Sequence, residues 1–205
     1  MPPQPSPLAD RETRAARAPS FSASSAQLLL IVTLASLTML FGAALVGVGV
    51  TRAQNDLWRT AATPGLTLSL VSSSILLALL SAALEAAKRA LARNASSRLV
   101  SWLTGAGLLA LAFLASQGVG FRIMLDAHAL AESKTLHPFS HNFLVGLHAA
   151  HVLGGLVPLG IVLVRARRGE YSSSRREGVR LLAQYWHYLG VVWLVLLIAL
   201  WRLSG

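Results

Sequence analysis

The chain has 205 residues, of which 54% are apolar and 13% charged, and its mean hydropathy is +0.58. An ordinary soluble domain carries about 25% charge, so the composition argues against a soluble globule and for a polytopic membrane protein. Lys and Arg number 18 against 8 acids, a formal net charge of +10, and there is no cysteine, which excludes disulfides, thiolate metal sites, iron-sulfur clusters and Cys nucleophiles.

In chain order, residues 1–25 are rich in Pro, Ser, Ala and Arg and are expected to form a disordered basic tail, too polar to bury a core. The apolar run that follows, Ala26 to Val50, exceeds the roughly 7 to 15 residues of a signal-peptide core and reads as an uncleaved anchor. Four further runs lie at about 66–87, 99–120, 143–164 and 181–203. Each approaches or exceeds the about 20 residues that cross a bilayer as helix. Backbone polar groups in lipid must be satisfied within the span, and these continuous runs lack the alternation of barrel strands. The sequence therefore predicts an all-α domain over 26–205, a polytopic bundle of five transmembrane helices.

The basic residues set the expected orientation. Arg11, Arg14 and Arg17 lie in the tail; Lys88, Arg89, Arg93 and Arg98 in the second loop; Arg165, Arg167, Arg168, Arg175, Arg176 and Arg180 in the fourth. Only Arg52, Arg59, Arg122, Lys134 and Arg202 fall on the other side, which predicts N-terminus in and C-terminus out. A positive cytoplasmic face attracted to anionic headgroups accounts for the net charge without nucleic acid. Trp58, Trp102, Trp186 and Trp201 fall near span ends, where indole rings favour the interface. Trp193 falls mid-span and is expected to pack between helices.

Polar groups inside the spans are where function is sought, because they are costly there. Glu85, at the inner end of the second span, is expected to pair with Arg89 one turn on. Gly146, Ala150 and Gly154 recur every four residues on the fourth span, a stripe of small residues suited to close helix packing. His148 and His151 share a face of that span, and His187 belongs to the fifth. These imidazoles read either as a haem or metal site or as interhelical hydrogen-bonding groups, the second being the default. Depth argues against a shared haem. His151 lies about 14 residues from Arg165, roughly 21 Å, and His187 about 6 residues past Leu181, roughly 9 Å, whereas two axial ligands of one metal lie within about 4 Å. Asp126, His128, Glu132 and His137 fall in an expected outer loop, Phe121 to Ser140, with spacing too irregular for a cation site. Ser69, Ser72, Ser73, Ser74 and Ser81 are expected to bond back to their own helix or across to another.

Two motifs then carry a resemblance: Phe143 and Gly146-Leu147-His148-Ala149-Ala150-His151-Val152-Leu153-Gly154-Gly155, followed by Tyr185-Trp186-His187-Tyr188-Leu189-Gly190-Val191-Val192-Trp193-Leu194. They resemble subunit III of haem-copper respiratory oxidases, whose pattern is G-x-H-x-x-H-V-x-x-G and then Y-W-H-F-x-D-x-V-W-x. The similarity extends over about Ile31 to Trp201, taking in Met39-Leu40-Phe41-Gly42, Ser72-Ser73-Ser74 and Gln117, and five spans match the short bacterial form. Three family carboxylates are absent: Leu37 stands for a Glu, Gly120 (with Phe121) for the Glu of Q-x-x-E-Y, and Gly190 for the Asp after Tyr-Trp-His.

The resemblance implies a non-catalytic accessory subunit of a terminal oxidase complex in the bacterial inner membrane. It would bind no redox cofactor itself, and haem and copper would reside in the catalytic subunit I, with subunit II as a further partner. It would hold phospholipid between a two-helix and a three-helix bundle and support oxygen and proton access. His148, His151, Tyr185, Trp186, His187, Trp193 and Gln117 are then interhelical or lipid-facing polar contacts, and none is catalytic. The missing acids put a proton-antenna role in doubt and leave room for a subunit of a nitric-oxide-reductase-associated complex. A small b-haem electron-transfer protein is a further alternative. A transporter fits poorly, since Pro158 offers a kink but no charge lies at the midplane.

Overall fold

The computed structural model describes residues 23–54, 64–130 and 136–204, all of them helical apart from the two short connections at 93–95 and 168–176. The five helices are α1 (Ala23–Gln54), α2 (Pro64–Ala92), α3 (Ser96–Leu130), α4 (Leu136–Arg167) and α5 (Glu177–Ser204). Each contains a stretch long and apolar enough to cross a membrane. The expected disordered tail, apart from Ala23–Ser25, and Trp58 lie outside the described residues.

Every expected span falls within one helix, but the helices outrun the apolar stretches. The expected outer loop from Phe121 to Ser140 is a case in point, because α3 continues to Leu130 and α4 begins at Leu136. Arg122 and Asp126 end the apolar run there without ending the helix, since charged residues past the bilayer keep good helix propensity. Asp126 is exposed, and the side chains of His128, Glu132 and His137 lie outside the described residues.

The helices α2, α3, α4 and α5 form a ring in which each touches the next and α5 closes on α2, while α1 lies outside it against α4 and α5. This is a four-helix ring with a fifth helix added, not the two-helix and three-helix division implied by the resemblance. The ring core joins Leu80, Leu84 and Ala87 of α2 to Leu103, Ala106, Ala110 and Phe113 of α3, Val152 of α4, and Ala183, Trp186, Leu189 and Trp193 of α5. Alanines at the α2–α3 contact let the two backbones approach, the usual device where lipid offers no hydrophobic drive. A second cluster seats α1 through Phe41 and Val48 on Leu144, Val145, Val192, Leu196 and Leu200. Only 11% of the most apolar window of α1 is buried, against 28–33% for the others.

The two loops on the basic side are built alike. Asn94 (φ 51°) and Gly169 (φ 72°) take the left-handed conformation just past α2 and α4. Asn94 N–H then bonds Leu91 O and Ala95 N–H bonds Ala90 O, while Gly169 N–H bonds Ala166 O and Glu170 N–H bonds Arg165 O. Both are Schellman closures, which satisfy the last carbonyls of a helix. Asn94 Oδ1 also accepts from Ser173 N at 2.9 Å, fastening the two loops together. In the second loop Tyr171 is packed so near Gly178 that a Cβ there would lie 2.5 Å from the phenol oxygen. Burial raises the Tyr171 phenol above its ordinary pKa, against a smaller opposing effect of Arg165.

Candidate functional site

The polar residues of the spans collect on three contacts of the ring. On the first, Ser81, Glu85 and Lys88 of α2 recur at i, i+4 and i+7, a stripe directed at α5. Glu85 Oε1 accepts from Lys88 Nζ at 2.8 Å and from His187 Nε2 at 2.7 Å. Ser81 Oγ lies 2.6 Å from His187 Nδ1. In the neutral imidazole with Nε2–H donating to the carboxylate, Nδ1 is an acceptor and the Ser81 hydroxyl donates to it. The expected Glu85–Arg89 pair is therefore replaced. Arg89 is exposed, and the carboxylate is taken by Lys88 on its own helix and by His187.

The second contact joins α2 to α3. Ser73 donates to Ser69 O at 2.7 Å and to Ser116 Oγ at 3.0 Å, and Ser72 Oγ meets Ser116 Oγ at 2.9 Å. Ser69 also reaches across, donating to Ser116 O at 2.8 Å, and Gln117 Nε2 donates to Ser73 Oγ. Ser74 returns its hydroxyl to Leu70 O and accepts from Trp193 Nε1 at 3.0 Å, so Trp193, fully buried, bridges α5 to α2.

The third contact is α4 against α5. Tyr185 donates its hydroxyl to His151 O at 2.9 Å, and the His151 ring donates from Nδ1 to Leu147 O of its own helix at 2.7 Å. His148 is fully buried and neither ring nitrogen has a hydrogen-bond partner. It is boxed instead by aromatic rings, with centroids 6.1 Å from Phe41, 5.7 Å from Phe113 and 5.3 Å from Trp193. The three histidines thus have three different environments. Among the described residues no three His, Asp or Glu side chains converge as a metal site would require.

Two expectations about packing need correction. A Cβ built at Gly146 or Gly154 meets nothing within 4 Å, and Ala150 and Gly154 are exposed, so the small stripe faces away from the rest of the chain. The close approach occurs one residue on, at Gly155, where a Cβ would lie 2.7 Å from Tyr185 Cε1 and 3.1 Å from Trp186 Cζ2. Trp186 is correspondingly 1% exposed, packed between helices and not at the interface, whereas Trp102 and Trp201 are exposed. Ser116, Lys88 and Thr38, which bonds the Tyr188 hydroxyl at 2.8 Å, carry contacts that sequence reasoning did not single out. The i, i+4, i+7 spacing of Ser81, Glu85 and Lys88 was the available signal for the first contact.

A family model for cytochrome c oxidase subunit III matches residues 27–204. A cytochrome c oxidase subunit 3 from Synechocystis sp. is 33% identical over 150 residues, covering 71% of this chain and 62% of that protein. Proteins of the same name from Corynebacterium diphtheriae (27% over 100 residues; 49% of this chain, 48% of that one) and Alkalihalophilus pseudofirmus (28% over 104 residues; 51% and 50%) are also similar. The chain spans about half to three-fifths of the length of these curated relatives. Because the matched region takes in all five helices and both histidine motifs, the chain belongs to the cytochrome c oxidase subunit III family.

Proposed function

We propose that the chain is an accessory subunit of a haem-copper terminal oxidase, embedded in a bacterial inner membrane with its N-terminus and basic loops on the cytoplasmic side. The family match over residues 27–204 carries this reading. The side chains of both motifs support it, since Tyr185, His187 and Trp193 are engaged in helix–helix hydrogen bonds, Tyr185 to the His151 carbonyl, and are suited to holding a scaffold. Haem and copper belong to the catalytic subunit I in this reading, with subunit II as the other partner. The outward small-residue stripe Gly146, Ala150 and Gly154, where a helix can approach closely, is available to a neighbouring subunit, and the basic loops to anionic phospholipid. His148, Trp186 and Gln117 serve internal packing, and none of these residues makes or breaks bonds.

The test is an oxidase preparation from cells lacking this chain. The reading expects turnover that starts normally and decays faster than in the complete complex. A complex that keeps its full stability and long-term turnover without the chain would contradict it.

A further inference from the structure

Between α2 and α5 a recess of about 280 Å³ opens at the outer surface of the helix ring, lined among others by Ser74, Leu77, Ser81, His187, Gly190 and Trp193. Leu77 and Trp193 are buried and close its floor, while Ala78, Val191 and Leu194 are exposed at its rim. Gly190 keeps it open, for a Cβ there would meet only Leu77, at 4.0 Å. The volume exceeds the roughly 150 Å³ that accommodates a benzene-sized ring in an apolar cavity. The walls are apolar with a few convergent polar groups, the usual make-up of a small-molecule site.

The hydrogen-bond accounting of those polar groups selects a ligand chemistry. Ser74 has its proton on Leu70 O and accepts from Trp193. Ser81 differs from Ser73 and Ser74, which return their hydroxyls to the helix; its oxygen lies 2.6 Å from His187 Nδ1, to which its proton goes in the neutral tautomer that donates from Nε2 to Glu85. Both imidazole nitrogens are thereby occupied, since Nε2 serves Glu85. What remains toward the recess is the Ser81 oxygen with its lone pairs, an acceptor at one end of an apolar chamber. A hydrocarbon chain has nothing to donate to it, and among the described residues no Lys or Arg lines the recess to hold a charged headgroup.

We propose that the α2–α5 recess binds a membrane-soluble phenol or hydroquinone, its ring against Leu77 and Trp193 and its hydroxyl donating to Ser81 Oγ. His187 acts as a positioning residue that fixes the Ser81 hydroxyl, and Glu85 fixes the imidazole tautomer. The site concerns this chain's own surface and does not rest on the oxidase reading.

The test uses the full chain in nanodiscs, with decylhydroquinone, its dimethyl ether and decylbenzene as probes in equilibrium binding. Decylhydroquinone is expected to saturate at one per chain and to bind about tenfold more tightly than the ether, the scale of one hydrogen bond. Ser81→Ala is expected to remove that preference while leaving ether binding unchanged, and Gly190→Leu to abolish binding of all three. Ser81→Ala is small enough to keep the fold, which helical circular dichroism checks, so the outcome does not depend on Gly190→Leu folding. Unsaturable uptake, equal affinity for hydroquinone and ether, or an undiminished preference in Ser81→Ala would each overturn the proposal.

Discussion

Glu85 of α2 and His187 of α5 meet at 2.7 Å where the two helices adjoin in the ring, and this contact together with the Ser81–His187 bond closes α5 onto α2. Both side chains are roughly one-third exposed, 39% and 34%, so the pair is worth a hydrogen bond and not a deeply buried ion pair. Glu85→Ala leaves the imidazole Nε2–H and Lys88 without their acceptor. A loss of about 1 kcal/mol is expected, read as a lower thermal midpoint in detergent, with Glu85→Gln intermediate. Arg89→Ala should leave the midpoint unchanged, since that side chain is exposed.

The glycines of α4 separate two kinds of position. Gly155→Ala forces a methyl group against the Tyr185 and Trp186 rings, and Tyr185 is anchored by its bond to His151 O. Overpacking of this kind costs about 1–3 kcal/mol. Gly154→Ala, in open space, is expected to be neutral or slightly stabilising in the isolated chain, since alanine is the better helix former. Parallel thermal melts of the two variants check the contrast, and equal effects would place the helix contact wrongly.

His148 is buried with both nitrogens unpartnered. An unsatisfied buried polar group is costlier than an apolar group of similar shape. His148→Leu should therefore raise the thermal midpoint of the isolated chain or leave it unchanged, whereas a drop comparable to that of Gly155→Ala would mean that the imidazole has a partner.

Outside the spans, Tyr171 gives a pH signature. Burial favours its neutral form, so its folded pKa stands above the usual value of about 10. The associated stability is fully present below that value, and is lost as pH rises from the unfolded pKa through the folded one, because the unfolded chain releases the proton first. Phenolate absorbance compared between the chain and Tyr171→Phe should locate a titration later than that of a free phenol.

Hydropathy made the five helices legible, because a span must be apolar over its whole length. It did not reveal which face of each helix is internal. In water the apolar face is the buried one, but in lipid both faces are apolar, so the Gly146, Ala150 and Gly154 stripe and Gly155 look alike in sequence although only Gly155 meets a neighbour. The same blindness misplaced Trp186, which sits near a span end but is turned inward. The motifs located His148, His151 and His187 on the right helices. Their partners depended on rotations and crossings that spacing does not encode, as Lys88 in place of Arg89 illustrates. The end of α3 was hidden because charge ends an apolar run without ending a helix.

The most direct measurement is a mild-detergent purification through a tag on this chain, with an optical spectrum and mass identification of what accompanies it. The account predicts haem absorbance that travels with a large haem-copper partner and is absent from the isolated 21.8 kDa chain. Haem retained in stoichiometric amount by the isolated chain would contradict it and return His148, His151 and His187 to candidacy as ligands.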